Sequence, residues 1–308
     1  MYHSPVMLEA SLEGLSVKPG GVYVDATFGG GGHSRAILDR LTAGRLIAFD
    51  QDREAERNVP DDDRIVFVNH NFRFMANFLK LYGALPVDGI LADLGVSSHQ
   101  FDEPDRGFSI RTDGPLDMRM DQSASLTASD VVNGYDAERL AGLFREYGEL
   151  RHARRIAALI DKERKLAPVE TTGKLVSTLS VLAPRGKENK FLAQVFQALR
   201  IEVNQELASL KELLQHGVDL LRPGGRMVVI SYHSLEDRLV KNFFRSGRFS
   251  GEVEKDFFGH PVSPFVPVGK SQAADEHETA VNPRARSARL RVAERTEQKQ
   301  RMPWQKMQ

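Results

Sequence analysis

A strand, an acid and a turn of four glycines follow one another in Val22-Tyr23-Val24-Asp25-Ala26-Thr27-Phe28-Gly29-Gly30-Gly31-Gly32-His33-Ser34. Glycine adopts positive φ without strain and lets the backbone approach a ligand closely, and the first amides of the following helix can face an anionic group. The stretch therefore predicts the beginning of a nucleoside-cofactor pocket. From these residues alone, a purely structural Gly-rich turn stays an open alternative.

Two cofactor classes differ in what they require of this loop. The dinucleotide fingerprint needs a glycine at its last position, and counting from Gly29 that position is Ser34. S-adenosylmethionine has no phosphate, but it carries a cationic sulfonium, an ammonium and a carboxylate. An acid at the strand end, Asp25, beside free helix amides favours the methyl donor over the hydride carrier.

The composition narrows the function classes. The 308 residues include 42 basic and 42 acidic side chains, so net charge does not indicate a nucleic-acid binder. Basic residues do cluster over 139–165 and 282–308, where a solvated helix face and an exposed tail are the alternatives to nucleic-acid contact. The absence of cysteine excludes structural disulfides, thiolate catalysis and Cys-ligated metal sites.

The amino terminus carries no targeting pattern. Met1-Tyr2-His3-Ser4-Pro5 has neither a basic region nor an apolar core for export. No apolar run reaches the roughly 20 residues of a membrane span. We therefore expect a cytoplasmic protein with no membrane partner.

Short apolar runs alternate with helical patterns along much of the chain. Because these runs are apolar throughout, they are typical of parallel strands that helices cover on both faces. The predicted strands are 22–24, 45–49, 65–68, 90–94 and 227–230, with a last strand near 288–292. Ligands bind at the carboxyl ends of such strands, so the residues after each run are candidates for the site.

A helical segment interrupts this alternation between about residues 108 and 202. Residues 129–147 and 148–165 each have a helical pattern, and we place an inserted helical domain at roughly 105–200. Leucine and valine at steps of three and four then predict an amphipathic helix over 204–221, which Pro223-Gly224-Gly225 should end before the next strand. Residues 247–282 are expected to form mainly loops.

Polar and aromatic residues follow the predicted strands where a ligand is expected. Asp50 comes about twenty residues after the glycine loop, where a carboxylate can accept hydrogen bonds from ribose hydroxyls in either cofactor class. Phe72 could contact the adenine of the cofactor or pack in the core, and the sequence leaves both open. Ser234 and Asp237 have the spacing of a capping box, which predicts a helix beginning there. For His233 the sequence leaves two roles open: a residue of the pocket, or a polar residue whose hydrogen bonds are made within the protein.

The fourth strand leads into Asp93-Leu94-Gly95-Val96-Ser97-Ser98-His99-Gln100. An exocyclic amine conjugated to a ring is a poor nucleophile, so an amino-methylating enzyme must accept its N–H hydrogen bonds and align it with the sulfonium. Asp93 has the chemistry for this role, and capping the following turn is its alternative. A serine hydrolase is excluded because the run lacks the second glycine of G-x-S-x-G.

Seven motifs, in order along nearly the whole chain, resemble the bacterial small-subunit rRNA methyltransferase H family, also called MraW. They are Asp25-Ala26-Thr27-Phe28-Gly29-Gly30-Gly31-Gly32-His33-Ser34, Asp93-Leu94-Gly95-Val96-Ser97-Ser98, Arg106-Gly107-Phe108-Ser109, Asp113-Gly114-Pro115-Leu116-Asp117-Met118-Arg119-Met120, Phe196-Gln197-Ala198-Leu199-Arg200-Ile201, His233-Ser234-Leu235-Glu236-Asp237-Arg238 and Asn282-Pro283-Arg284-Ala285-Arg286-Ser287. Motifs of this length and order are far more specific than one glycine loop.

The resemblance implies an enzyme that transfers a methyl group from S-adenosylmethionine to the N4 amino group of a cytidine in the decoding region of 16S rRNA, with no metal required. The implied fold is α/β: a Rossmann-like methyltransferase domain at 1–104 and 201–308, with an inserted all-helical substrate-recognition domain at 105–200. The implied partner is 16S rRNA within the small ribosomal subunit. The sequence does not determine the oligomeric state, and a homodimer is one of the possible states.

The same resemblance implies the residues of the cofactor pocket. Asp93 is the implied catalytic residue, and it also belongs to the pocket. The cofactor is expected to meet Gly31, Gly32 and His33 at its methionine end, Asp50 at its ribose, Phe72 near its adenine, and Asp93 and Gln100 elsewhere.

The chain departs from the family pattern at three places. His99 and Arg53 each stand where the family usually has proline. Residues 190–194 read Lys-Phe-Leu-Ala-Gln in place of a common His-Pro-Ala-Thr-Arg run. The lost arginine is a planar, bidentate phosphate partner, which Lys187 or Lys190 could replace only as a point charge. The departure concerns RNA docking, because the cofactor motifs are intact.

Three other functions remain to be weighed. A DNA amino-methyltransferase generally carries a Pro-Pro-aromatic run where this chain has Leu94-Gly95-Val96. A non-catalytic ribosome factor would bind S-adenosylmethionine without turnover. An NAD oxidoreductase would bind a dinucleotide tightly, against which Ser34 already argues.

Overall fold

The computed structural model describes residues 5–259 and 261–297. The chain divides into two compact units. One combines Met1–Gly95 with Ala208–Gln308, and the other is Val96–Leu207. We call them the sheet unit and the helical unit. The basic segment 282–308 includes three residues that lie outside the described residues: Lys299, Arg301 and Lys306.

The described part of the sheet unit forms one eight-stranded sheet. Its strands are β1 (Val22–Asp25), β2 (Arg45–Phe49), β3 (Ile65–Val68), β4 (Val87–Asp93), β5 (Leu221–Ser231), β6 (Phe265–Pro267), β7 (Gln272–Ala273) and β8 (Arg289–Arg295). The order is β3-β2-β1-β4-β5-β8-β6, with β7 also paired to β8. The first five are mutually parallel, and β8 runs antiparallel to β5. The predicted parallel α/β sheet is confirmed.

Helices bury both faces of this sheet, as the unbroken apolar runs predicted. The helices of the unit are α1 (Leu8–Leu15), α2 (Gly32–Leu38), α3 (Met75–Leu81), α10 (Glu206–Leu220), α11 (Ser234–Ser246) and α12 (Glu276–Val281). Val24 packs into a core with α3, α10 and α11, whereas its neighbour Tyr23 packs into a core with α1 and α2. Alternate strand residues thus enter opposite cores, and each fully buried aliphatic side chain contributes roughly 1.5–3 kcal/mol.

The helical unit is built around its own apolar core. Its helices are α4 (Ser98–Asp102), α5 (Ala128–Gly134), α6 (Ala137–Glu146), α7 (Ala153–Arg164), α8 (Thr172–Ser180) and α9 (Glu188–Asn204). Fully buried side chains of α5, α6, α7 and α9 meet in this core, among them Val131, Phe144, Ile156 and Val195. The predicted boundary at residue 200 falls inside α9, so the compact unit extends to Leu207.

The sequence patterns misplace some ends of helices. The pattern over 129–147 covers two helices, because α5 ends before Tyr135 and Asp136 then caps α6 by accepting the Arg139 N–H at 2.7 Å. Helix α7 begins only at Ala153, since Glu149 takes a positive φ of 50°. Pro223-Gly224-Gly225 lies within β5 at a shift of its register with β4, and does not precede the strand.

No helix in 5–259 and 261–297 combines the length and apolar character that crossing a membrane requires.

Candidate active site

Three aspartates meet at one edge of the sheet. Asp25 is the last residue of β1, Asp93 is the last residue of β4, and Asp50 follows β2 directly. Because β2, β1 and β4 are parallel neighbours, their carboxyl ends lie side by side. Burial raises the pKa of both Asp50 and Asp93, and the negative charge of Asp25 adds to the rise at each, so Asp25 lies close enough to act on both carboxyl groups. This edge is the candidate site.

The glycine turn borders the same edge. Gly29 and Gly31 have positive φ, 51° and 75°. A side chain built at Gly29 would enter open space, whereas at Gly31 its Cβ would lie 2.7 Å from the Phe28 ring and at Gly32 2.5 Å from Pro5. Gly29, whose amide contacts Asp50, therefore leaves room beside the turn, and the other two glycines are needed for packing.

Side chains from three segments hold this turn in place. The Gly29 amide donates to the Asp50 carboxylate at 2.7 Å. Asn58 donates to the Gly29 carbonyl at 3.1 Å, and Arg35 donates to the Gly30 carbonyl at 2.8 Å. The turn is thus fixed from outside, which keeps the space beside Gly29 open.

Asp25 is fully buried. Its carboxylate accepts the Ser34 hydroxyl at 2.6 Å and the Thr27 amide at 3.1 Å. Burial raises the pKa of Asp25 to about 6, against the opposing effect of these two hydrogen bonds. A positive ligand charge would therefore be favourable next to it.

Asp50 is oriented by backbone groups. One carboxylate oxygen accepts the Gly29 amide, and the other accepts the Asp52 amide at 2.8 Å. Burial raises the pKa of Asp50 to about 6 in spite of both bonds. An ionised carboxylate has about four acceptor positions, so Asp50 keeps capacity for hydroxyl donors such as those of a ribose.

Asp93 is held by a tyrosine from the next strand. The Tyr232 hydroxyl, just after β5, donates to Asp93 Oδ1 at 2.7 Å, and the Asp93 amide donates to Thr27 Oγ1 at 2.7 Å. Burial raises the pKa of Asp93 to about 7; the hydrogen bond from Tyr232 opposes the rise, and neighbouring acids add to it. Burial beside this acid also raises the pKa of Tyr232 well above its usual value, so the tyrosine remains a donor.

His33 faces Asp93 with its free nitrogen. Its Nε2 lies 3.0 Å from the Val6 carbonyl, which can only accept, so Nε2 carries the proton. Burial lowers the pKa of His33 to about 4, and the ring is neutral at pH 7. Nδ1 is therefore an acceptor, 3.9 Å from Asp93 Oδ2. Two acceptors at this separation suit a donor between them, such as an ammonium.

Two expected pocket residues have structural contacts of their own. Phe72 opens a short 3-10 helix after β3 and packs at the margin of the core that contains α3. Gln100 belongs to the helical unit, where it is buried and completes a capping box with Ser97 at the start of α4. The structure thus brings together Gly31, Gly32, His33, Asp50 and Asp93 in the sheet unit, with Phe72 on a neighbouring loop.

The capping box predicted after the fifth strand is wrong by one residue. The N-cap of α11 is His233, and its partner is Glu236. Glu236 is buried and accepts the Tyr232 amide at 2.9 Å, while its other oxygen lies 3.2 Å from His233 Nε2. His233 is therefore a capping residue. Asp237 instead forms two hydrogen bonds with Arg291 of β8, at 2.7 and 3.0 Å.

Two further motifs are structural in the helical unit. Arg106 is buried and donates to the carbonyls of Arg119 and Met120 at 3.0 and 3.1 Å. A Cβ at Gly107 would lie 2.3 Å from the Pro115 carbonyl oxygen, so this close approach requires glycine. The motifs 106–109 and 113–120 thus pack against each other.

The departure at 190–194 falls on α9. Phe191 and Leu192 are buried in the core of the helical unit, and Gln194 donates to the Gly148 carbonyl at 2.9 Å. Lys187 and Lys190 are exposed. The unusual residues are therefore accommodated by packing, and Lys190 within the run and Lys187 just before α9 present positive charge to solvent.

Sequence reasoning missed Tyr232, Asn58 and Arg35. Tyr232 lies two residues after the predicted strand 227–230, in a segment expected to carry site residues, but the sequence indicates no chemistry for it. Asn58 and Arg35 act through backbone carbonyls, and no residue pattern indicates such contacts.

Comparison with known proteins gives consistent results over both units. The model of the MraW methylase family matches residues 1–296. Ribosomal RNA small subunit methyltransferase H of Parabacteroides distasonis is 57% identical, over 96% of this chain and 97% of its own. The proteins of the same name from Phocaeicola vulgatus and Cytophaga hutchinsonii are each 54% identical, over 96% of this chain and 98% and 100% of theirs.

Proposed function

Since the chain belongs to the MraW methylase family, we propose that it methylates the N4 amino group of a cytidine in the decoding region of 16S rRNA. It is an S-adenosylmethionine-dependent methyltransferase. The observation that carries the proposal is the match, over 96% of this chain, to relatives named ribosomal RNA small subunit methyltransferase H. The proposed substrate form is the small ribosomal subunit, and the proposed location is the cytoplasm. The homodimer stays a prediction.

The candidate site fits S-adenosylmethionine. The turn at Gly29, which has open space beside it and contacts Asp50, belongs to the same edge of the sheet as the carboxylates of Asp25 and Asp93 and the acceptor Nδ1 of His33. These groups complement a sulfonium and an ammonium, and Asp50 has remaining acceptor capacity for the ribose hydroxyls. When bound, the cofactor supplies a methyl group on positively charged sulfur.

Asp93 is the proposed catalytic residue. Tyr232 donates to its Oδ1, and Oδ2 has two acceptor positions, so Oδ2 can accept an N–H of the cytosine amine besides the ammonium that it would share with His33. This contact orients the amine, and positioning of this kind lowers the barrier without prior deprotonation. As the methyl group moves, the amine becomes acidic and its proton passes to Asp93 Oδ2. A carboxyl pKa of about 7 suits that transfer at neutral pH.

Gly31, Gly32, Phe72 and Gln100 are proposed as the remaining pocket residues. Their support differs. Gly31 is the N-cap of α2 and has a left-handed conformation, and Phe72 follows β3 at the same edge of the sheet as the acids. Gln100 rests on the family motif alone. The helical unit is proposed to receive the RNA.

The test uses small ribosomal subunits from cells that lack this methylation. We expect incubation with labelled S-adenosylmethionine to produce N4-methylcytidine, identified by mass spectrometry of the nucleosides. Asp93→Asn keeps the shape of the side chain, and it should reduce turnover at saturating cofactor. Cofactor binding without any transfer to the subunit would contradict the proposal.

A further inference from the structure

A basic cleft lies on the sheet unit between α11 and residues 268–271, which connect β6 to β7. Its lining includes Lys241 and Arg245 from α11, Lys270 from the connection and Arg291 from β8. The Val268 amide donates to the Val292 carbonyl at 2.9 Å, which seats the connection on β8. The cleft is therefore bounded by ordered elements on each side.

The four cations of this cleft are only partly compensated. Arg291 is paired with Asp237, and Arg245 donates to the Gly251 carbonyl at 2.7 Å. Lys241 and Lys270 are exposed, and their side chains form no hydrogen bond or ion pair with any residue in 5–259 or 261–297. Two lysine charges thus face the cleft without a protein partner, beside two guanidinium groups.

The size of the cleft limits what it can hold. Its volume is about 190 Å³, below the roughly 300–1,000 Å³ of pockets that enclose whole small molecules. It exceeds many times the roughly 10–15 Å³ that a cavity needs to hold one water. A tetrahedral anion fits these limits better than a complete nucleoside does.

The position of the cleft relates it to the candidate active site. Asp93 on β4 pairs with Ile230 of β5, and Arg291 on β8 pairs with the adjacent Val229. Neighbouring strands lie about 4.8 Å apart, so β8 is roughly 10 Å across the sheet from β4. An extended RNA strand whose base reaches Asp93 can place a neighbouring phosphate at the cleft.

We propose that this cleft binds a backbone phosphodiester of the RNA substrate close to the target cytidine. The inference rests on the proposed function for the identity of the RNA. Lys241 and Lys270 supply mobile point charges to the phosphate oxygens, and the paired arginines form the fixed walls. Contacts of this kind position the RNA and carry no base specificity.

The experiment compares two doubly charge-reversed proteins. Lys241→Glu with Lys270→Glu alters the cleft. Lys18→Glu with Lys80→Glu gives the same change in net charge at exposed residues that precede β1 and β4, at the opposite edge of the sheet. Binding of a 16S rRNA fragment is measured against salt, methylation of subunits is measured as KM and kcat, and S-adenosylmethionine affinity is measured by calorimetry.

For the cleft variant we expect at least a tenfold rise in KM for the subunit, with kcat and cofactor affinity close to those of the unaltered protein. The slope of log affinity against log salt should fall in magnitude by about 1, as for loss of one or two phosphate contacts. The control pair should change each quantity less than twofold. Lys241→Ala with Lys270→Ala, which removes charge without reversing it, should give a smaller change of the same kind.

Three results would overturn the inference. One is a cleft variant that matches the control pair while the unaltered protein methylates subunits normally, and in that case the proposed function stands. Another is inorganic phosphate binding that is lost in the cleft variant while the affinity for the rRNA fragment is unchanged, which would assign the cleft to a free anion. The third is a loss of cofactor affinity equal to the loss of RNA affinity. If no subunit is methylated but RNA binding still depends on the two lysines, the cleft is supported and the proposed function fails.

Discussion

We expect Asp25→Asn to stabilise the sheet unit at neutral pH and to weaken its binding of a positively charged ligand. The side chain is 1% exposed, and burial raises its pKa from 3.8 to about 6. A shift of about 2 units corresponds to roughly 3 kcal/mol at 1.36 kcal/mol per unit. Between pH 4 and 6 the unfolded chain binds fewer protons at this residue than the folded chain, so the free energy of unfolding falls as pH rises.

In the Asp25→Asn variant, residue 25 does not titrate, so it causes no fall in the free energy of unfolding as pH rises. Its amide can keep both contacts, because Oδ1 accepts the Thr27 amide and Nδ2 donates to Ser34 Oγ. We therefore expect the variant to gain stability over the unaltered protein as pH rises, up to about 3 kcal/mol above pH 7. The cofactor should bind at least about tenfold more weakly, since a carboxylate facing its positive charge is lost.

The assay is denaturant unfolding of both proteins, without cofactor, at several pH values from 4.5 to 8. Asp63→Asn is the matched control, because Asp63 is exposed and forms no hydrogen bond within the described residues. A difference between variant and unaltered protein that stays constant with pH would refute the reasoning. So would a control that shows the same trend.

Three further predictions concern the same edge of the sheet. S-adenosylmethionine should bind about tenfold more tightly at pH 8 than at pH 6, because binding needs ionised Asp93 and the pKa of that carboxyl is about 7. Calorimetry at the two pH values should show no such difference in affinity for the Asp93→Asn variant. Tyr232→Phe removes the donor to Asp93 at 2.7 Å and should move the acid limb of the pH–rate profile upward by about 1 unit, and an unmoved limb would exclude a positioning role. Gly29→Ala should lower the free energy of unfolding by about 1 kcal/mol because of its positive φ, and it should weaken cofactor binding. Gly31→Ala should unfold at a lower denaturant concentration than Gly29→Ala, because its Cβ also meets Phe28. Equal unfolding midpoints for the two variants would contradict this prediction.

The fold was largely predictable because its strands are locally recognisable. The first four parallel strands lie within three residues of their predicted apolar runs, whereas β5 begins six residues before the predicted start at residue 227. The less accurate boundaries depend on single residues. Tyr135 ends α5 and Asp136 starts α6, yet the apolar periodicity continues across both and predicts one helix. At α11 the buried Glu236 selects His233 as the N-cap, although Ser234 with Asp237 has the same spacing.

The cofactor side of the candidate site was predictable for a topological reason. Asp25, Asp50 and Asp93 each follow an apolar run, and parallel strands place such residues at one edge whatever their separation in sequence. The proposed RNA cleft was not predictable. Lys241, Lys270 and Arg291 come from three segments whose approach depends on where β8 and the β6–β7 connection pack.

The sequence by itself determined the strand-and-glycine pattern, the acids at the strand ends and the family, because these depend on residues close together along the chain. Only the tertiary structure decided which groups act on those acids. Tyr232 reaches Asp93 across 139 residues, and the Val6 carbonyl fixes the proton on His33 across 27. Both contacts follow from strand order and helix packing, and so do the burial effects that raise the carboxyl pKa values. Burial and long-range hydrogen bonds are properties of the assembled sheet, which no local pattern encodes.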